Sequence, residues 1–336
     1  MPIAGFINEQ PHSVARCIAA AAAFGRDWAA TEAGGIVLVG SGSSRNAMTV
    51  AEPWFGRAGR GPVMVLEPLD VLDRLAQGAL GRPLVVALSQ SGASTTTLAA
   101  AEATRAAGLR TLLVTATPGS PLDRLGGARL TMPLGEEPVG PKTKGFTASV
   151  ATLVTLAAAL GGSALPAFDP SRLATAILPA RAEALGLVAM LQQADVLVIA
   201  GHGAALGLAL EASLKVAEMA GLAAFGLSTE ELLHGRLHGM TERSLAIILT
   251  LDAGEQAEAE RAAAAMRRRG CRLVARPVWQ DRDLACGMVA PWNLLGAILP
   301  FQWLGVVLAE ARGLRPETMR HGALSAELAI KLREEP

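Results

Sequence analysis

Two acidic residues and one lysine in this chain could carry proton-transfer chemistry. Glu211, Lys215 and Glu218 stand at positions i, i+4 and i+7 of the segment EASLKVAE, so on a helix they share one face. A carboxylate beside an ammonium group suits the removal and return of a proton at a carbon centre. A solvent-exposed, ion-paired helix face is the alternative. The Ala, Leu, Val and Met residues around the three charges favour the buried interpretation.

Serine-rich turns follow two strand-like segments in the first half of the chain. Ile36–Val39 runs into GSGSS (Gly40–Ser44), and Leu84–Leu88 runs into SQSGAS (Ser89–Ser94), each before a predicted helix. Helix-start N–H groups and serine hydroxyls can bind an anion without a lysine. Capping and turn formation alone is the other interpretation. Because ligands of parallel sheets lie beyond the carboxyl ends of the strands, we expect one phosphate here. The candidate hydroxyls are those of Ser41, Ser43, Ser44, Ser89, Ser91, Ser94 and Thr95.

Nucleotide binding is disfavoured by the spacing of the glycines. The phosphate-loop pattern GxxxxGK[ST] is absent from the chain. Gly40, Gly42 and Asn46 do not fit the GxGxxG pattern of dinucleotide-binding proteins, and no suitable acidic residue follows about 20 residues later. We therefore expect no nucleotide, and no other cofactor.

The elements that must position these residues alternate between short apolar strands and helices, which predicts parallel sheets with helices on both faces. A constant step of 161 residues relates three pairs of positions: Gly40 and Gly201, Ser89 and Thr250, and Leu112 and Leu273. This repeat predicts two related α/β units. The fold class predicted is α/β, with two tandem three-layer αβα units.

The predicted boundaries follow from glycine and proline clusters. Residues 1–33 form an N-terminal helical segment, with the helix starting after Pro11 and running to about Ala30. The first unit, 34–165, binds phosphate, and the second, 180–312, carries the Glu218 helix. Residues 313–336 form a C-terminal tail. The two units join near Gly161–Pro179, where Gly, Pro, Ser and Asp cluster.

Composition narrows the class of protein. The 336 residues are 51% hydrophobic and 18% charged, which predicts a large core. The 30 basic and 30 acidic residues cancel, so we expect no nucleic-acid or anionic-membrane partner.

Cys17, Cys271 and Cys286 are far apart, which fits a reducing compartment. The apolar stretch Met288–Ala309 contains prolines and polar residues, and we expect a buried core helix rather than a membrane span. The predicted location is the cytoplasm.

Several motifs resemble those of the sugar isomerase (SIS) domain family. These are EQP (Glu9–Pro11), SQSG (Ser89–Gly92), TKGFT (Thr143–Thr147) and ELLHG (Glu231–Gly235), together with the E-x3-K-x2-E helix. The resemblance covers nearly the whole chain. It is closest to the tandem-SIS group, which includes the isomerase half of glutamine–fructose-6-phosphate aminotransferase, aminosugar-phosphate deaminases and fructosamine-phosphate deglycases.

The resemblance implies specific roles. Glu218 would shuttle a proton between C1 and C2 of a sugar, and Lys215 and Glu211 would shape its charge environment. His234 would assist ring opening from the neighbouring subunit, which implies a homodimer with the active site at the subunit interface. The residues implied in phosphate binding are Ser44, Ser89, Gln90, Ser91 and Ser94, with Gly42 and Ser43 in the same turn.

The remaining histidines leave alternatives open. His202, in the second glycine turn, could contact a ligand or simply form the turn, and His321 could approach the site. His234 and His238 are four residues apart, but no third ligand accompanies them, so we expect no metal site. Without the resemblance, a capping or core role for His234 is an equally ordinary interpretation.

Three positions depart from the family pattern. Ala93 replaces an acidic residue after SQSG, and Lys142 replaces a small hydroxyl residue before TK. Leu324 stands where the aminotransferase has a Schiff-base lysine, which argues against an aminotransferase-type ketose intermediate. Separately, Cys17 lies inside the first helix and is not an N-terminal nucleophile, so glutamine-driven amination by this chain alone is not expected. Lys142 could replace the missing ammonium group or bind an acidic substituent of the substrate.

The leading hypothesis is an enzyme that isomerises a 6-phosphorylated amino or ketoamine sugar and releases its amine. The second is a phosphosugar aldose–ketose isomerase that leaves C–N bonds intact. The third is a non-catalytic phosphosugar sensor. All three require a sugar phosphate as partner.

Overall fold

The computed structural model describes residues 3–27, 34–59, 61–278 and 287–332. Its residues form two compact units. The unit that contains the serine-rich turns, called here the serine-turn unit, comprises His12–Glu136, Lys144–Leu165 and His321–Pro336. The unit that contains Lys215, called here the lysine-helix unit, comprises Met1–Pro11, Glu137–Thr143 and Pro166–Arg320. Helix α1 (Ile3–Asp27) has residues in both units.

The serine-turn unit contains a five-stranded parallel sheet in the order β2-β1-β3-β4-β5. Its strands are β1 (Ile36–Val39), β2 (Val63–Leu66), β3 (Leu84–Leu88), β4 (Thr111–Thr115) and β5 (Arg129–Thr131). Its helices are α2 (Ser43–Arg57), α3 (Pro68–Ala76), α4 (Thr95–Ala106), α5 (Pro121–Arg124), α6 (Lys144–Leu160) and, in the tail, α13 (Leu324–Glu327). Strands β1, β3 and β4 are buried throughout, as their unbroken apolar sequences predict.

The lysine-helix unit contains a four-stranded parallel sheet in the order β7-β6-β8-β9. Its strands are β6 (Val196–Gly201), β7 (Ala223–Ser228), β8 (Ser244–Thr250) and β9 (Arg272–Pro277). Its helices are α7 (Pro170–Gln192), α8 (Ala204–Ala220), α9 (Thr229–His234), α10 (Ala253–Arg267), α11 (Asn293–Ala297) and α12 (Leu299–Ala311), with a 3₁₀ turn at Arg236–Gly239.

The predicted internal repeat is confirmed by strand order. Strands β1 to β4 have the order 2-1-3-4, and β6 to β9 repeat it as 7-6-8-9. The α/β fold class with two parallel sheets is likewise as predicted. The repeat did not reveal β2, β5 and β7, which are edge strands of their sheets and are less buried than the central strands.

The structure corrects the predicted start of one helix and narrows the predicted join. Helix α1 begins at Ile3 and contains Pro11, because Ile3, Phe6 and Ile7 already form one buried helical face. Helix α7 begins at Pro170 and contains Pro179, so the irregular join is shorter than Gly161–Pro179. Asp169 caps α7 by accepting a hydrogen bond from the backbone N–H of Ser171 at 2.9 Å.

The apolar stretch near the C-terminus is a core element, as expected. In the part of the chain that the structure describes, two helical spans are long and apolar enough to cross a membrane, Pro170–Gln192 and Asn293–Ala311. The second is 89% buried within the protein, which is typical of a core helix. Pro300 lies in the first turn of α12, where a missing N–H costs nothing.

We expect Gly226→Ala to destabilise the lysine-helix unit by about 1–3 kcal/mol through overpacking. A Cβ at Gly226 in β7 would lie 2.6 Å from the Cα of Leu210 in α8. Because this neighbour is a backbone atom, relieving the clash would require the helix or the strand to shift. The matched control is Gly186→Ala in α7, where a Cβ meets nothing within 4 Å. That control should gain about 0.5–1 kcal/mol. Urea unfolding of both variants measures the difference, and equal stabilities would contradict this packing.

Candidate functional site

Helix α8 carries the three charges predicted to lie on one face. It starts after Gly203 and ends at Gly221, whose left-handed backbone (φ 60°) closes the helix. The side chains of Glu211 and Lys215 are 0% exposed, while that of Glu218 is 22% exposed. The interpretation as a solvated, ion-paired face therefore does not hold for Glu211 and Lys215. Of the three groups, the Glu218 carboxylate retains the most access to solvent.

The Lys215 ammonium group joins the two carboxylates. Its Nζ lies 3.4 Å from Oε1 of Glu211 and 2.5 Å from Oε2 of Glu218. Burial lowers the pKa of Lys215, but the attraction of Glu211 and Glu218 outweighs it, and the net pKa is raised above the ordinary value of 10.5. The lysine is therefore charged at neutral pH, and Glu218 has a fixed positive charge beside it.

The two serine-rich turns lie at the same edge of their sheet. Strands β1 and β3 are parallel neighbours with Val39 paired to Ala87, so the turns that follow them meet. Gly40 permits this approach, because a Cβ there would lie 3.0 Å from the carbonyl oxygen of Leu88. Ser44 is buried in the first turn of α2, and its backbone N–H donates to the carbonyl of Ser41 at 3.2 Å.

The SQSGAS turn is held by contacts among its own residues and by Ser120. The Oγ of Ser91 accepts a hydrogen bond from the N–H of Ala93 at 3.3 Å, and the Oγ of Ser94 accepts one from Thr97 at 3.0 Å. Gly92 has φ 64°, and a Cβ there would lie 2.0 Å from the Oγ of Ser120. Only glycine fits this position, so the turn conformation is tightly determined.

Gln90 is oriented by two residues that sequence reasoning did not assign. Its Nε2 donates to the Oγ of Ser149 at 3.2 Å, and that hydroxyl donates to the carbonyl of Gly145 at 2.7 Å. A Cβ on Gly145 would lie 2.4 Å from the Oε1 of Gln90. The glycine of the TKGFT motif therefore makes room for Gln90. The signal for this was the motif itself, whose partner only the folded chain reveals.

The C-terminal tail contacts the same turn. The N–H of Leu332 donates to the carbonyl of Ala93 at 2.9 Å, and the N–H of Thr95 donates to that of Ile330 at 3.1 Å. The Thr95 hydroxyl, one of the candidate phosphate ligands, instead donates to the tail carbonyls of Ala329 and Ile330. Leu324, in α13, is 44% exposed.

The histidine candidates are on the surface. His234 ends α9 with a side chain that is 80% exposed, and its Nε2 lies 3.1 Å from the Oε2 of Glu230. His202 and His321 are also exposed. The role of His234 in a partner subunit's site stays a prediction. Among the described residues, no group of three His, Cys, Asp or Glu side chains could hold a metal ion.

Lys142 and the cysteines have ordinary structural surroundings. The Nζ of Lys142 donates to the backbone carbonyl of Glu137. Burial raises the pKa of Cys17 to about 12, so that thiol is neutral. Cys271 is also a buried free thiol, and Cys286 lies outside the described residues.

Removing the ammonium group should destabilise the fold. We expect Lys215→Met to cost about 3 kcal/mol or more, because it leaves carboxylates buried without their counter-charge. The pKa of Lys215 is raised on folding, so its contribution is complete below pH 10.5 and is lost only as pH rises through the raised pKa. The loss in Lys215→Met should therefore be present throughout pH 7–9. Arg243→Met, which breaks the exposed pair with Asp195, is the control and should change stability little. Chemical unfolding that finds the two variants equally stable would contradict the buried network.

The sequence and fold match one family. Its profile, the SIS domain, matches residues 31–159 and 190–275. Glutamine–fructose-6-phosphate aminotransferase [isomerizing] 1 of Arabidopsis thaliana is 29% identical over 231 residues, which are 65% of this chain and 34% of that protein. The Aeropyrum pernix aminotransferase is 32% identical over 218 residues, which are 60% of this chain and 35% of that protein. The chain thus matches about a third of the length of these relatives.

Solved structures share the fold at lower identity. A Clostridium difficile 630 protein described as a candidate phosphosugar isomerase has a TM-score of 0.81 and 19% identity, and covers 98% of both chains. Glucosamine-6-phosphate deaminase from Thermotoga maritima has a TM-score of 0.73 and 21% identity, covering 93% of this chain and 98% of that one. Tagatose-6-phosphate ketose/aldose isomerase from Escherichia coli has a TM-score of 0.74 and 18% identity, covering 99% and 95%. The matched profile covers more than half of the residues, and the chain belongs to the SIS domain family.

Proposed function

We propose that this protein is an enzyme that isomerises a 6-phosphorylated amino or ketoamine sugar and releases the amine. The single observation that carries the proposal is the Glu218 carboxylate, which is partly accessible and lies 2.5 Å from a buried ammonium group. The names of the relatives support the substrate class: aminotransferases that act on fructose 6-phosphate, and a structural neighbour that deaminates glucosamine 6-phosphate.

The phosphate group would bind at the serine-rich edge of the sheet in the serine-turn unit. Ser44, Ser89, Gln90, Ser91 and Ser94 are the proposed ligands, within the turn that includes Gly42 and Ser43. Hydroxyl groups and helix-start N–H groups neutralise a phosphate dianion by hydrogen bonding. Gln90 contributes to this set because Ser149 and Gly145 hold its amide in place.

The reaction we propose is a proton transfer between C2 and C1. In an open-chain 2-amino aldose, Glu218 would take the proton from C2, which gives an enaminol. Return of a proton to C1 converts the enaminol to a ketimine at C2. Water then adds to the ketimine, and the C–N bond breaks to give the ketose and the free amine. Lys215 holds the Glu218 carboxylate in place through the ion pair at 2.5 Å.

A simpler isomerisation is the second candidate. The likeness to tagatose-6-phosphate ketose/aldose isomerase favours it, because aldose–ketose exchange needs the same proton transfer and no C–N cleavage. Aminotransferase chemistry is not proposed, since Leu324 has no amine with which to form an imine with the ketose. A cytoplasmic homodimer with His234 at a shared site remains part of the prediction.

The deciding experiment incubates the protein with glucosamine 6-phosphate and with fructosamine 6-phosphates, and measures both amine release and ketose formation. Amine release supports the proposal, while ketose formed from glucose 6-phosphate in a parallel incubation, with no amine released from the amino sugars, favours the simpler isomerase. Binding of these sugars with no turnover of any of them would point to a sensor and would contradict the proposal.

Loss of the proposed base should abolish turnover. We expect Glu218→Gln to lower kcat by about 10²- to 10⁴-fold, because the amide cannot accept the proton. Glu258→Gln removes an exposed carboxylate from α10 of the same unit and should leave kcat unchanged. Steady-state kinetics with the best sugar phosphate measure both variants. A Glu218→Gln enzyme as active as the control would refute the assignment.

Disturbing Gln90 should weaken binding more than chemistry. We expect Gly145→Ala to raise KM about tenfold, equivalent to about 1.4 kcal/mol of binding, because its Cβ displaces the Gln90 amide. Gly56→Ala, in α2 of the same unit, places its Cβ where no atom lies within 4 Å and is the matched control. The phosphate assignment would be refuted by identical KM values in Gly145→Ala and Gly56→Ala.

A further inference from the structure

Two buried glutamines lie on otherwise apolar helix faces of the lysine-helix unit. Gln10 belongs to the EQP motif in α1, and Gln302 lies in the middle of α12. Both side chains are fully buried. A buried amide costs free energy unless hydrogen bonds replace those it made with water. The proposed function leaves both residues unexplained.

Their hydrogen bonds form a path that ends on a carboxylate. The Nε2 of Gln10 donates to the Oε1 of Gln302 at 2.6 Å, and the Nε2 of Gln302 donates to the carbonyl of Thr143 at 3.2 Å. The N–H and Oγ1 of Thr143 then donate to the Oε1 of Glu137 at 2.7 and 2.8 Å. Thr143 therefore holds one oxygen of a buried carboxylate with two hydrogen bonds.

That carboxylate acts on the ammonium group of α8. After burial, which lowers it, the pKa of Lys215 is raised by Glu211 and Glu218 on its own helix and by Glu137 from the segment before α6. Glu137 is thus a carboxylate from outside α8 that favours the charged lysine.

The helix that carries Gln302 also contacts Lys215 directly. Gly305, one turn after Gln302, packs so closely on α8 that a Cβ there would lie 3.0 Å from the carbonyl oxygen of Lys215. It would also lie 2.6 Å from the sulfur of Met219. One helix therefore fixes the backbone of Lys215 and the segment that holds Glu137.

We propose that Glu137 is a positioning residue for the Lys215 ammonium group, and that Gln10 and Gln302 hold it in place through Thr143. This inference rests on the proposed function of the α8 face. Glu211 and Glu218 pair with the ammonium group and Glu137 attracts it from outside the helix, so the group is fixed in place as the partner of Glu218. The motifs EQP and TKGFT then act on the same group. The competing interpretation is a polar network that only stabilises the fold.

The test observes Lys215 itself, by ¹⁵N–¹H spectra tuned to lysine ammonium groups at neutral pH. The chain has only four lysines, which are Lys142, Lys144, Lys215 and Lys331, so the spectrum is simple. Loss of one signal in Lys215→Arg identifies the signal of Lys215. The charge of Glu137 helps to hold the Lys215 proton. We therefore expect Glu137→Gln, which removes that attraction, to speed hydrogen exchange at the Lys215 Nζ about tenfold.

Matched variants separate positioning from stability. Glu136→Gln removes the exposed neighbouring carboxylate and should leave the exchange rate unchanged. Thr143→Val removes one hydrogen bond to Glu137 and should speed exchange by less than Glu137→Gln, while Thr143→Ser keeps both donors and should restore the wild-type rate. If the protein turns over a sugar phosphate, kcat should fall in the variants in which Lys215 exchange speeds up, while KM should remain unchanged.

The outcomes are distinct. Unchanged Lys215 exchange in a folded Glu137→Gln protein overturns the proposal, and if that variant does not fold, unchanged exchange in Thr143→Val does so. If exchange speeds up only in proportion to a lowered melting temperature, the stabilising interpretation is supported and the positioning proposal is overturned. Faster exchange at an unchanged melting temperature, in a protein that turns over no sugar phosphate, supports the positioning role and refutes the proposed function alone.

Discussion

The ion cluster on α8 is the constraint on which the lysine-helix unit depends. Moving an ammonium group out of water costs several kcal/mol, and only well-placed carboxylates recover that cost. Glu211 and Glu218 lie at 3.4 and 2.5 Å from Lys215, and the raised pKa shows that they outweigh burial. The surroundings fit this requirement: α8 is bounded by Gly203 and Gly221, and α12 packs closely against it at Gly305.

The two related units have taken on different chemistry. Both have the same strand order, yet hydroxyl-rich turns follow β1 and β3 in one, while buried charge lies on the helix after β6 in the other. In the proposed function, the first unit binds the phosphate end of the sugar and the second provides the base.

Much of this could be predicted from sequence because the signals were local. The apolar strands Leu84–Leu88 and Thr111–Thr115, and the spacing of Glu211, Lys215 and Glu218, depend only on neighbouring residues. What could not be predicted depends on distant contacts. Gly145 makes room for Gln90, Thr95 binds the tail, and Gln10 reaches Gln302 across nearly 300 residues of sequence. Helix α1 begins before Pro11 because its buried apolar face outweighs the local proline signal.

The central claim is that the Glu218 carboxylate moves a proton from C2 of a sugar phosphate. The most direct measurement uses an amino sugar phosphate deuterated at C2, with the product followed by NMR and the rate compared with that of the protonated sugar. The account predicts slower amine release and a ketose whose deuterium has left C2, either to C1 or to water. A product that keeps its deuterium at C2, formed at the same rate as from the protonated sugar, would contradict it.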